Sequence, residues 1–170
     1  MKTMNFMLIL LLVLMGCAKK DDITTKDHYL KATINGKKIN FKMASYQLGG
    51  DNGSIEFVTI GGTESSTPAD GALANGFTFE ISRAGGSLTA GTYDVRAEED
   101  MYAVYYIQSQ NGTIEYDATW ANDAFIVKID VISKTNIKGS FSGVLRNELG
   151  QTISITEGTF HLPNEVIVNT

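Results

Sequence analysis

Leu30-Lys31-Ala32-Thr33-Ile34-Asn35-Gly36-Lys37-Lys38-Ile39-Asn40-Phe41 is the stretch that decides the fold. Apolar and polar residues alternate on both sides of Asn35-Gly36. Asn-Gly suits a two-residue type I′ turn, because both central positions of that turn need φ > 0. Folding the chain there sets Ala32 against Ile39, Leu30 against Phe41, Lys31 against Asn40 and Thr33 against Lys38. One face of the hairpin becomes apolar and the other polar, so turn and pattern agree on one register.

The same grammar continues downstream. Ser54–Ile60 reads as a strand, and Gly61–Gly76 as a long loop of small polar residues, a length that is usually functional or mobile. Phe77, Phe79 and Ile81 alternate with Thr78, Glu80 and Ser82, the pattern of a half-buried strand. Leu88–Val95 is a short extended segment. Met101–Trp120 reads as a second hairpin about Asn111-Gly112, with Ala103 opposite Trp120 and Tyr105 opposite Ala118. That register sends Trp120 to the core and Tyr102 and Tyr106 to the other face. Phe125, Val127, Ile129 and Val131 form the next inward set, and Ile137, Gly139, Phe141 and Leu145 the one after. Ile153 and Ile155 are out of phase with Phe160 and Leu162. Glu157-Gly158 is placed to absorb the slip as a β-bulge, with Gly supplying φ > 0.

No helical period and no long repeat appear after the first residues. About eight to ten short strands joined as hairpins predict an all-β fold, an antiparallel β-sandwich, with a small up-and-down barrel as the alternative. The domain is expected over residues 28–163, with a frayed tail over 164–170. Formal charge is −5 and no Lys/Arg cluster is present, which argues against nucleic acid, whose binding needs a basic footprint. With a single cysteine, no internal disulfide can form, so the core alone must hold the domain.

The first residues read differently. Lys2 precedes an unbroken apolar run, Phe6–Met15, too short for a bilayer span of roughly 20 residues and suited to a secretory signal. Leu14-Met15-Gly16-Cys17 resembles the lipobox of bacterial lipoproteins. The resemblance implies removal of residues 1–16 and acylation of Cys17, with residues 17–27 as a tether. Lys19-Lys20-Asp21-Asp22 looks like the export signal by which Bacteroidota-type lipoproteins reach the outer face of the outer membrane. Ala32–Phe41, Gly91-Thr-Tyr93, Ile137–Phe141 and Ile153–Phe160 follow in order behind the lipobox. Together they resemble a family of small, uncharacterised all-β lipoproteins of Bacteroidota. That family implies location and fold and has no catalytic residues to carry over.

Catalytic and metal patterns are weak. Gly139-Ser-Phe-Ser-Gly143 places Phe141 where a nucleophile elbow needs Ser. His28 and His161 lack a Cys or a placed carboxylate for zinc. Glu98-Glu99-Asp100 and Asp51-Asn52-Gly53 carry oxygen ligands of the kind calcium prefers, outside any calcium-loop pattern. The expectation is a non-enzymatic envelope module without a cofactor, binding a glycan, a peptide or an envelope protein. Tyr102 and Tyr106 are the candidate binding residues. A small barrel carrying an apolar ligand is the alternative.

Overall fold

The computed structural model describes residues 27–50, 54–65, 73–83, 85–97, 100–119, 124–164 and 166–168. Cys17, Lys19–Asp22, Asp51–Gly53, Glu98, Glu99 and Trp120 lie outside the described residues, as does the middle of the Gly61–Gly76 segment. Strand is the dominant structure of the described chain: β1 (Tyr29–Ile34), β2 (Lys37–Asn40), β3 (Met43–Gly49), β4 (Phe57–Thr63), β5 (Gly76–Ser82), β6 (Gly91–Asp94), β7 (Met101–Ser109), β8 (Gly112–Ala118), β9 (Ala124–Ile132), β10 (Asn136–Arg146), β11 (Thr152–Pro163) and β12 (Ile167–Val168).

One antiparallel sheet runs β12-β3-β4-β5-β7-β8-β10-β11-β1-β2, with β9 and then β6 branching from β10. It curls into a half-barrel. The expected sandwich and barrel meet in this form, because two facing halves are joined at the corners. At one corner β2 runs into β3: Phe41 N–H donates to Leu30 O (2.9 Å) and Lys42 N–H to Thr63 O (2.8 Å), so neighbouring residues serve different partner strands. At the other, β8 meets β10 through a single register pair, Asp117–Arg146. The twelve strands exceed the expected number because this bend splits one extended run into β2 and β3, and because β6 and β12 are short pieces.

Phenylalanine fills the space between the halves. Phe77 and Phe79 from β5 meet Phe125, Phe141 and Phe160 from β9, β10 and β11 at ring separations of 4.9–6.1 Å. Phe41 closes the stack against Phe77 at 6.1 Å. All six rings are 3% exposed or less.

The first hairpin has the register its sequence predicts, with Asn35 (φ 47°) and Gly36 (φ 80°) in the turn. The second does not. Ala103 pairs with Ala118 and Tyr105 with Tyr116, a shift of two residues, because the chain reverses at Gln110–Asn111 rather than Asn111–Gly112. An even shift preserves the faces, so Met101, Ala103 and Tyr105 are buried as expected. The bulge near Glu157-Gly158 is present: both neighbours of β11 change register there. The positive φ belongs to Glu157 (53°), however, and Gly158 is needed for closeness. A Cβ at Gly158 would lie 2.4 Å from the Phe141 carbonyl oxygen.

Two further expectations are corrected. Val131 is 43% exposed rather than inward, because β9 slips against β10 between Ile129 and Val131 and flips the phase. The chain beyond Pro163 does not simply trail away: Ile167 pairs with Ala44 and is 4% exposed.

Candidate functional site

The β3-β4-β5-β7 registers align the outward residues into rows. Thr59 faces Glu80, which faces Tyr102; Gly61 faces Thr78, which faces Val104; Gly76 faces Tyr106. Glu80 is the hub of the first row. Its Oε2 accepts a 2.7 Å hydrogen bond from Thr59 and a longer 3.5 Å one from Tyr102 Oη. Tyr102 is 36% exposed. Partial burial, then the Glu80 charge and hydrogen bond, push its phenol pKa up, so it stays a neutral donor across the physiological range. The Glu80 carboxylate is held firmly while an aromatic face remains open beside it.

Tyr106 is placed differently. It is half-buried, with its hydroxyl end lying over Gly76, where any Cβ would meet it. Burial raises its pKa as well. With Gly61, Thr78 and Val166 it lines a groove of about 370 Å³. The two predicted binding residues thus share one face. Tyr102 offers a free ring, and Tyr106 covers the sheet while bordering a groove. Sequence reasoning missed Thr59 and Glu80. The alternation through Phe77–Ile81 marks Glu80 as outward, but nothing local tells which strands lie beside β5. It also missed Phe57, which is 36% exposed with its ring over Gly49.

Another cavity, of about 480 Å³, sits on the outside of the other half among Tyr29, Lys31, Ile39, Glu157 and Thr159. Its groups largely answer one another. Lys31 Nζ lies 4.5 Å from the centre of the Tyr29 ring, and Thr33 donates to Glu157 at 2.9 Å. Thr159 Oγ1 is buried there without a hydrogen-bond partner. The aromatic here, Tyr29, is half-buried, whereas Tyr102 is exposed.

His28 and His161 do come together, with ring centres 5.0 Å apart, and His161 Nδ1 lies 2.8 Å from the Asp27 carbonyl oxygen. Among the described residues no group of three or more His, Cys, Asp or Glu side chains is placed to hold a metal ion. Gly139 and Gly143 serve packing: a Cβ at either would fall within 2.2 Å of a β9 carbonyl oxygen. The expected Gly61–Gly76 loop is shorter than its composition suggests, because Gly61, Gly62 and Thr63 continue β4 in register with β5, which opens at Gly76, and the described residues next to them are fastened. Gln108 N–H donates to Asn75 Oδ1 (3.1 Å), and Gln108 Oε1 accepts from Ala74 N–H (3.1 Å). Tyr105 Oη donates to Glu64 at 2.6 Å.

No protein-family model, no curated protein and no solved structure matches the chain.

Proposed function

We propose that the protein is a lipid-anchored module of the bacterial cell envelope that binds a glycan, a peptide or a partner protein through the Tyr102–Glu80 face, without catalysis. The observation that carries the binding reading is an open tyrosine ring on a rigid strand, beside a carboxylate fixed by Thr59. Such a ring loses little entropy on binding and can stack on the apolar face of a sugar or anchor a peptide, while the carboxylate accepts from hydroxyl or amide groups. The phenylalanine-filled interior supports this reading over the carrier alternative, since an apolar ligand would have to displace packed rings. The anchor rests on Leu14–Cys17, and placement on the cell surface, as in the resembling Bacteroidota lipoproteins, rests on Lys19–Asp22. One acyl chain holds a protein only marginally at a membrane, so stable anchoring calls for more than one on Cys17.

The test has two arms. Cys17→Ser should abolish palmitate labelling and release the protein from the membrane fraction; unchanged labelling refutes the anchor. A glycan array and an envelope-extract pull-down should give a ligand that Tyr102→Ala loses and a Lys128→Ala control keeps. A large fall in melting temperature for Tyr102→Ala would make the ring structural and remove this face.

A further inference from the structure

The half-barrel stays open at the β8–β10 corner. Beyond Arg146 the chain turns at Asn147–Gly150, where Gly150 N–H donates to Asn147 O (2.9 Å), and returns as β11. β8 continues past that point to Gly112 with, among the described residues, only β7 paired beside it. Ser109 and Gly112 close the β7–β8 turn as a hydrogen-bonded pair. Along an antiparallel ladder that parity sends the backbone groups of Thr113, Glu115 and Asp117 away from β7. Asp117 uses this side for Arg146. Thr113 and Glu115 present theirs to a cleft of about 340 Å³ between β8 and the turn.

The cleft has the chemistry of a peptide site. Ile114 and Leu149 line it and are 50% and 84% exposed. Glu115 and Glu148 stand beside them, with no hydrogen bond or ion pair among the described residues. The edge strands β2, β6 and β12 are only four, four and two residues long, the usual protection against unwanted pairing. β8 has seven residues, and those from Gly112 to Glu115 are all exposed.

We propose that the β8 edge binds an extended segment of a partner polypeptide as an added antiparallel strand, in the place a longer β10 would have held. Backbone hydrogen bonds to Thr113 and Glu115 supply affinity, and alternate side chains supply specificity. The partner carries apolar residues towards Ile114 and Leu149 and Lys or Arg towards Glu115 and Glu148. A second copy of β8 would instead bring another Glu115 to an acidic rim, so charge favours a basic strand over self-pairing. This site is distinct from the Tyr102 face.

The probes are a six-residue peptide of alternating Lys and Val and its Glu-Val counterpart, titrated against the full chain by fluorescence anisotropy and amide hydrogen exchange. The Lys-Val peptide should bind at least about tenfold more tightly, and exchange should slow at Thr113 and Glu115. Glu115→Pro removes an outward N–H and leaves the β7 ladder intact, so it should weaken binding by about tenfold or more. Should that variant fail to fold, Glu115→Lys serves: it should lose the Lys-Val peptide and gain the Glu-Val one. Tyr102→Ala should leave peptide binding unchanged. Equal binding of the two peptides, or binding unaffected by substitution at Glu115, overturns the proposal. So does a concentration-dependent dimer that protects β8 without peptide.

Discussion

Phe79→Ala tests whether the half-barrel is held from its interior. The Phe79 ring is fully buried and meets four others: Phe77, Phe125, Phe141 and Phe160, at 5.9, 5.9, 5.7 and 5.8 Å. Truncating a buried Phe costs about 3–5 kcal/mol, and aromatic pairs add about 0.5–1.5 kcal/mol each beyond buried area. Three of the four neighbours stand on paired strands of the opposite half, whose backbones cannot move in to fill the gap. The cost should therefore fall at the upper end, about 4–5 kcal/mol, against a usual total stability of about 5–15 kcal/mol. At roughly 2–4 °C per kcal/mol for a domain of this size, the melting temperature should drop by roughly 8–20 °C. Phe57→Ala is the control: its ring lies outside, over Gly49, and its loss should cost about 1 kcal/mol or less. Urea and thermal unfolding followed by far-ultraviolet circular dichroism give both numbers. A cost below about 2 kcal/mol for Phe79→Ala, or equal costs for the two variants, refutes the reasoning.

Gly158→Ala should destabilise by about 1–3 kcal/mol, because the new methyl meets the Phe141 backbone oxygen rather than a movable side chain; a denaturant midpoint at the wild-type value would contradict it. Gly76→Ala meets only the hydroxyl end of Tyr106, so it should cost less and raise tyrosine solvent exposure instead, readable by ultraviolet difference spectra. Burial raises the phenol pKa of Tyr46 and Tyr106, and burial together with a neighbouring glutamate raises those of Tyr102 and Tyr105. A raised folded value means that this stabilisation is complete below about pH 10, where unfolded tyrosine titrates, and is lost as pH climbs through the folded values. The melting temperature should thus fall above about pH 10, less steeply in Tyr105→Phe, which cannot ionise next to Glu64; identical slopes would exclude Tyr105 as a contributor.

Local pattern carried much of the fold. Asn35-Gly36 fixed its own register because turn chemistry and alternation agree there. Asn111-Gly112 misled by two residues because Gly112, with φ 125°, sits at the first strand position after the turn instead of within it. Alternation could not detect that error, since a shift of two keeps every side chain on its face. Bulges are where alternation fails outright. The phase change between Ile155 and Phe160 shows in the sequence, but which residue takes the positive φ depends on how closely β10 approaches. The slip between Ile129 and Val131 leaves no break in the apolar spacing at all. The site was half legible: Tyr102 and Tyr106 follow from the hairpin alone, whereas Thr59–Glu80 needs the β4-β5-β7 pairing, a contact between segments far apart in the chain.

The open corner has a cause in the chain itself. Arg146 is followed by Asn147, whose side chain caps the turn from within: its Oδ1 accepts from Leu149 N–H (3.1 Å) and Gln151 N–H (2.8 Å), and its Nδ2 donates to Gln151 Oε1 (2.8 Å). Gly150 then takes φ 76° at low steric cost. These bonds stop β10 at Arg146, short of the edge that β8 still presents. A chain that continued as strand through residues 147–150 would cover Thr113 and Glu115 and extend the seam. The same turn holds Leu149, the most exposed large apolar residue on the described surface, at the end of the uncovered edge. Asn147 is itself only 8% exposed. The feature that leaves β8 unpaired is therefore a built, internally satisfied turn rather than a frayed strand end, and the cleft beside it is a fixed part of the fold.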